Sequence, residues 1–373
     1  MGEDRGDKWE ILMLHNASNS PVPLSRRRDQ TTREISADLG QSPNRLELQP
    51  RTETVIVSGA FPNDNEDAWS RGDFVEIILD PSDSNRLAFS RWNNGTPSIR
   101  HEIERGTKRY VLPQKSAGLL ADIVLSNGVR PSGGAQQLAA DLESIISQFF
   151  ELDPADLHLS VAHVLSSWVP ECFETVPYLW LVGPPGSAKT TFLKLLSCLC
   201  RRSVLVGDIR PAALYQLVHN SDITLLIDEL ELNGSRSSSE IARLLRTGNT
   251  RGVPTVRNGQ RFCTFCCKVL TSRLPPTDGA LASRSLFVSM RPTKQSLGLL
   301  DEAARRRIIW EFQPRLLGFR FENLAWMRQY QSPPEYLYEL TPRMKQLAGG
   351  PAGAVARRSP AAILAGYHFA GSR

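Results

Sequence analysis

Leu179-Trp180-Leu181-Val182-Gly183-Pro184-Pro185-Gly186-Ser187-Ala188-Lys189-Thr190 is an apolar run of strand length that opens into a glycine-rich loop. The loop leads into a helix-forming segment, Thr190-Thr191-Phe192-Leu193-Lys194-Leu195-Leu196. Strand, loop and helix in this order make a phosphate cradle. Gly183 and Gly186 let the backbone turn so that successive N–H groups point inward at phosphate oxygens. The helix that starts here adds the partial positive charge of its N-terminus. Lys189 reaches the β- and γ-phosphates, and Thr190 offers a hydroxyl to Mg²⁺. The spacing predicts ATP or GTP with Mg²⁺, held by Gly183, Pro184, Pro185, Gly186, Ser187, Ala188, Lys189, Thr190 and Thr191.

One position departs from the pattern, which asks for glycine immediately before the lysine and here finds Ala188. Alanine is tolerable there if φ stays negative. A left-handed conformation would make its methyl costly.

Downstream, Ile223-Thr224-Leu225-Leu226-Ile227 is a second apolar run, and it ends in Asp228-Glu229. At the carboxyl end of a buried parallel strand, Asp228 would hold the hydration shell of Mg²⁺, and Glu229 would orient the attacking water. Such a strand is common by itself. After a phosphate loop it points to chemistry.

Around these two strands the chain alternates. Strands are predicted at 178–182, 203–206, 223–228, 267–271 and 285–290, and helices at 189–200, 211–219 and 238–247. The last helix has a capping box, Ser237 with Glu240, and Gly248 as its stop. Alternation of this kind predicts an α/β fold with a parallel sheet covered by helices. Ahead of it, two helices are expected at 135–150 and 154–169, the second started by Asp153-Pro154.

Residues 51–130 read as a small β-rich module, with short β-type runs separated by turn signals such as Asn93-Asn94-Gly95. Pro131 to Gly134 is the natural linker to the helical segment, 135–170. The ATPase core with its C-terminal helices is placed at 171–345. Residues 1–50, rich in Ser, Asn, Pro and Arg, show no periodicity and are expected to be poorly ordered, as is the Gly/Ala/Arg-rich tail 346–373.

The 373 residues are 41% hydrophobic and 22% charged, an ordinary globular composition that allows two domains. No apolar run reaches the roughly twenty residues of a membrane span, and the N-terminus lacks the layout of a secretory signal. A cytosolic protein without membrane attachment is therefore expected. The net charge of +5 is too mild to argue for nucleic acid alone. Arg26-Arg27-Arg28 and Arg305-Arg306-Arg307 read as solvated faces. Six unevenly spaced cysteines do not make a disulfide framework, and Cys263-x-x-Cys266-Cys267 lacks the second pair a zinc site needs.

Between Gly252 and Phe265, Asn258-Gly259 separates two β-type runs, a strong hairpin signal. The hairpin carries Arg257 and Arg261, with Arg246, Arg251, Lys268 and Arg273 close in sequence. A contact to a phosphate backbone and a solvated surface hairpin are equally compatible with this charge.

Taken together, residues 179 to 290 resemble the core of P-loop NTPases of AAA+ and helicase type, and in particular the ATPase cores of helicase-like proteins carried by phages and mobile elements. The resemblance covers about a third of the chain. Lys268-Val269-Leu270-Thr271-Ser272-Arg273-Leu274-Pro275 looks like the family's sensor strand, with Thr271 or Ser272 in the sensor position, and Leu281-Ala282-Ser283-Arg284-Ser285 looks like its arginine-finger string. The resemblance implies an ATP-hydrolysing, Mg²⁺-dependent motor acting on DNA as a homo-oligomeric ring. Lys189, Glu229 and Ser272 would serve the reaction, Arg284 would act on a neighbour's site, Thr190 and Asp228 would serve the metal, and the hairpin with Arg257 and Arg261 would face DNA. Serine in place of the commoner asparagine at 272, and Ala188, set this chain apart from the family. A nucleotide-controlled switch or assembly module without translocation is the alternative reading. A small-molecule kinase fits less well, because a helix, hairpin and strand follow Asp228-Glu229 where a lid would be expected.

Overall fold

The computed structural model describes residues 53–329, except 58, 63–71, 94–95, 116–120, 208, 231, 233–235, 258, 294 and 296. The expectations for residues 1–50, for Arg26-Arg27-Arg28, for Asn258 and for the tail 346–373 lie outside the described residues.

Among the described residues seven strands come first: β1 (Glu53–Ile56), β2 (Phe61–Pro62), β3 (Phe74–Asp80), β4 (Asp83–Asn93), β5 (Thr96–Arg100), β6 (Glu102–Arg105) and β7 (Lys108–Val111). They form an antiparallel sheet in the order β2-β3-β4-β5 and a second sheet in the order β1-β7-β6, where β1 is parallel to β7. Helices α1 (Ala135–Phe149) and α2 (Pro154–Ser167) follow. Leu138, Leu142, Ile145, Ile146 and Phe149 recur at helical spacing, and all are buried.

The second half is β8 (Tyr178–Val182), α3 (Lys189–Leu199), β9 (Ser203–Val206), α4 (Pro211–Ser221), β10 (Thr224–Ile227) and α5 (Arg236–Thr247). A hairpin of β11 (Thr255–Arg257) and β12 (Gln260–Phe262) comes next, then β13 (Lys268–Ser272), α6 (Gly279–Ala282), β14 (Ser285–Ser289) and α7 (Glu302–Gln329). Five of these strands make one sheet, β14-β8-β13-β10-β9, parallel throughout. Period-two alternation divides its side chains between two helical layers. Leu179, Leu181, Leu226, Val269 and Val288 join the core formed with α1, α2, α3 and α7. Tyr178, Trp180, Leu225, Ile227 and Leu270 join the core formed with α4 and α5.

This strand order places a topological switch at β8. The chain leaves β8 for the far edge at β9, returns through β10 to β13, and then crosses β8 to reach β14 on its other side. In open α/β sheets ligands bind outside the carboxyl ends of the strands at such a point. Because the sheet is parallel, the carboxyl ends of β8, β10, β13 and β14 lie along one edge.

The β-rich region shares both cores instead of standing apart. On β3, Phe74 and Ile78 turn to the layer that contains α7, and Val75 and Ile77 turn to the other core. Phe74 and Phe321 lie 4.9 Å apart, and Trp92 stacks on Phe321 at 4.8 Å. The expected linker is a packed joint: the Arg130 N–H donates to the Pro314 carbonyl at 3.0 Å, and Ser132 is fully buried with its N–H on Glu322 at 3.1 Å. Gly318 makes this possible. A Cβ there would stand 1.9 Å from the Arg130 carbonyl oxygen.

A buried ionic cluster binds the three parts. Glu76 of β3 accepts from Arg201, which follows α3, at 3.0 Å, and from Arg320 of α7 at 2.8 Å. Arg201 also reaches Asp222 at 2.8 Å, and Arg320 reaches Glu171 at 2.7 Å. Burial raises the Glu171 carboxyl, but the facing Arg320 guanidinium outweighs it and holds the group below the ordinary carboxylate range, and Arg201 holds Asp222, whose side chain is 42% exposed, low as well.

Candidate nucleotide site

The loop after β8 is fixed on both sides by the neighbouring strands. The Met290 N–H donates to the Val182 carbonyl at 2.7 Å, and the Gly183 N–H to the Ser272 carbonyl at 3.4 Å. A Cβ on Gly183 would stand 2.2 Å from the Met290 carbonyl oxygen, so only glycine lets the loop leave the sheet here. Gly186 has φ 79, the left-handed region that favours glycine. Ser187 is buried, and its hydroxyl donates back to Pro184 at 2.8 Å, closing the turn. Pro184, Pro185, Gly186, Ala188, Thr190 and Thr191 are exposed.

Ala188 takes the left-handed conformation, φ 61 and ψ 21, as the residue that caps α3. The methyl sits where the consensus glycine would carry none. No side chain caps α3, so the N–H groups of its first turn have no partner within the helix and face the loop. Lys189 is buried, and its ammonium donates to the carbonyls of Gly183 at 2.7 Å and Pro184 at 2.9 Å. It spans the mouth of the loop.

Across β13, the carboxylate pair follows β10. Oδ1 of Asp228 accepts from the Thr271 hydroxyl at 2.8 Å and from the Glu229 N–H at 3.1 Å. The same N–H donates to Thr271 Oγ1 at 2.7 Å. Oδ2 of Asp228 accepts no hydrogen bond among the described residues. Glu229 has φ 48, and its side chain is exposed. Two non-glycine residues thus hold left-handed backbones at this edge, each costing roughly 1–2 kcal/mol. Such outliers gather at functional sites, where the surrounding structure enforces them.

Thr271 and Ser272, the two residues expected at the sensor position, have different partners, and strand register explains why. Ile227 is opposite Leu270, so the next pair, Asp228 and Thr271, meets side by side. Ser272 has other partners: it accepts from the Trp180 indole N–H at 2.7 Å and donates to the Leu274 carbonyl at 2.6 Å. The spacing of Trp180 from Ser272 gave no sign of this pair, because it forms across strands.

Arg284 precedes β14, and its carbonyl accepts from the N–H of Tyr178, the first residue of β8. It therefore lies at the amino edge of the sheet, whereas the glycine-rich loop follows the last residue of the same strand. Its guanidinium donates to the Ala280 carbonyl at 2.6 Å, and its Nε is buried with no partner among the described residues.

The expected hairpin is present, with Gly259 at φ 77 and Val256 opposite Arg261. Arg257 is spent on its own chain: it stacks on Tyr215 at 4.7 Å, donates to the Tyr215 hydroxyl at 3.2 Å and faces Glu240 at 3.6 Å. Arg261 is exposed, with no ion pair among the described residues. The other nearby cations divide similarly. Arg246 is on Asp278, Arg251 is on the carbonyls of Phe173 and Pro170, and Lys268 is fully buried among the carbonyls of Gly248, Thr264 and Cys266. Arg273 is exposed.

Among the described residues no group of His, Cys, Asp or Glu is arranged to hold a metal ion as a cluster of three. Burial raises the thiols of Cys172 and Cys200 to about 12, which leaves them inert, and Cys263 is exposed. No described helix is long and apolar enough to cross a membrane.

No family model matches the chain, and no curated protein does. Among solved structures, the A form apo structure of the NrS-1 C terminal region matches 67% of this chain and 66% of that chain, at TM-score 0.33 and 11% identity. The X-ray structure of JCV helicase matches 51% of this chain and 64% of that one, at TM-score 0.29 and 15% identity. The chain spans just under two thirds of each. Likeness of this size carries no argument, and the functional reading rests on the geometry above.

Proposed function

We propose that this chain is a P-loop ATPase that hydrolyses ATP with Mg²⁺ and couples the reaction to nucleic-acid remodelling of helicase type. The supporting observation is the shared edge: the loop with Lys189 and the pair Asp228-Glu229 stand at the carboxyl ends of β8 and β10, with β13 between them, beside the point at β8 where the strand order reverses.

In this reading the triphosphate lies along Gly183 to Thr191, with the open first turn of α3 donating to its oxygens. Lys189 exchanges two carbonyl acceptors for phosphate oxygens. Asp228 keeps one oxygen on Thr271 and Glu229 and leaves the other for the metal's water shell. The exposed Thr190 hydroxyl is the second hard oxygen, and such oxygen donors suit Mg²⁺. The ion's contribution when bound is to neutralise charge on the β- and γ-phosphates. Glu229, whose N–H is fixed by two acceptors, projects a free carboxylate to orient the attacking water. Arg284, at the far edge of its own sheet, would serve the site of a second copy in a ring, and Arg261 of the hairpin would meet DNA.

The switch reading keeps a specific support. Ala188 is left-handed, Ser272 has no hydroxyl proton to spare, and Arg257 is paired internally. These features fit tight nucleotide binding with slow turnover.

Steady-state ATP hydrolysis with Mg²⁺, with and without single-stranded DNA, tests both readings against Lys189→Ala and Glu229→Gln. The motor reading expects turnover that rises with DNA and is lost in both variants. Nucleotide binding without turnover sinks the motor reading in favour of the switch, and absence of nucleotide binding sinks both.

A further inference from the structure

The end of β13 carries three polar side chains, Thr271, Ser272 and Arg273, beside the phosphate loop. Two are committed. The Thr271 hydroxyl gives its proton to Asp228 at 2.8 Å and accepts the Glu229 N–H at 2.7 Å. The Ser272 hydroxyl gives its proton to the Leu274 carbonyl at 2.6 Å and accepts the Trp180 indole at 2.7 Å. A hydroxyl has one proton to donate, so neither residue can offer another to a phosphate oxygen without breaking a bond it already makes.

Arg273 is the remaining one. It is exposed and makes no ion pair or hydrogen bond among the described residues. Its position is set by register: Ser272 is opposite Val182, and the Gly183 N–H reaches the Ser272 carbonyl. Arg273 follows directly on that last pair, which puts its backbone next to the start of the loop. It stands on the side of β8 that leads to β10 and its carboxylates. A planar guanidinium with five donors suits phosphate better than a hydroxyl does.

We infer that Arg273 contacts the terminal phosphate of the nucleotide held in its own chain's loop, taking over the contact that Ser272 cannot make. The inference rests on the proposed ATP site. It separates two arginines by place: Arg273 at the carboxyl edge acts within its own subunit, and Arg284 at the amino edge acts on a neighbour.

Equilibrium binding of ATPγS and of ADP, each with Mg²⁺, to the full-length protein and to Arg273→Ala tests it. Loss of a charge-assisted contact to one phosphate predicts about 10- to 100-fold weaker ATPγS binding with ADP affinity held within about threefold, and partial recovery in Arg273→Lys. Equal weakening of both nucleotides, or no change in ATPγS affinity, overturns the inference and leaves the ATP site standing. Failure of the unaltered protein to bind either nucleotide overturns both. Mixing gives a second readout: Arg273→Ala mixed with Lys189→Ala should regain no hydrolysis. Recovery in that mixture would show action on a neighbour and overturn the inference.

Discussion

A left-handed backbone costs an alanine roughly 1 kcal/mol that a glycine does not lose, and Ala188 holds φ 61 at the entry to α3. Ala188→Gly should therefore raise stability by up to about 0.5 kcal/mol, after roughly 0.5–1 kcal/mol for the greater unfolded-state freedom of glycine is subtracted. A urea midpoint that moves down would show that the conformation is not strained. Asp80 offers a different single-residue test. The Ser82 hydroxyl at 2.6 Å, then His101 at 2.7 Å and the Ser82 N–H, hold its carboxyl well below the usual range. A carboxyl depressed in the folded state contributes stability above its unfolded pKa, about 3.9, and loses it as pH falls through the folded value. Thermal midpoints should drop more steeply below about pH 4 in the unaltered protein than in Asp80→Asn. Parallel curves would remove Asp80 from the acid response.

At the scale of elements, the hairpin of β11 and β12 is held to α4 by one of its arginines and shows the other to solvent. Arg261→Ala should weaken single-stranded DNA binding and reduce the slope of log affinity against log salt by about 0.7. Arg257→Ala should leave that slope alone and act through the lost Tyr215 and Glu240 contacts. Equal slopes for both variants would assign the pair to the same surface. The parallel-sheet elements and this hairpin were legible because each is a local signal: an apolar run, a glycine turn, a helical repeat. The glycine-rich turn after β8 and the carboxylates at the end of β10 are local signals of the same kind. The commitments of Thr271 to Asp228, Ser272 to Trp180 and Lys268 to three carbonyls were not, because they depend on which strands become neighbours. Lys268 opens a strand that sequence reads as buried, and the three carbonyls that receive its ammonium come from segments brought together only by the fold.

Across the whole molecule, Glu76 is the point where β3, the segment after α3, and α7 meet, and composition hid it as one carboxylate in an apolar strand. Removing one partner from a buried charge cluster typically costs about 3–5 kcal/mol. Glu76→Ala should lose an amount of that order in denaturant unfolding, and a cost under about 1 kcal/mol would mean that Arg201 and Arg320 find other acceptors. The Glu76 and Arg320 partners are separated by 244 residues. At a synthesis rate of about 5–20 residues per second, the carboxylate waits roughly 12–50 s for its second guanidinium to be made. Arg201, 125 residues after Glu76, is made about midway through that interval, while Phe74 and Trp92 lack their Phe321 neighbour until α7 is made. The joint between the β-rich region and the parallel sheet is therefore among the last parts of the described fold that can close during synthesis.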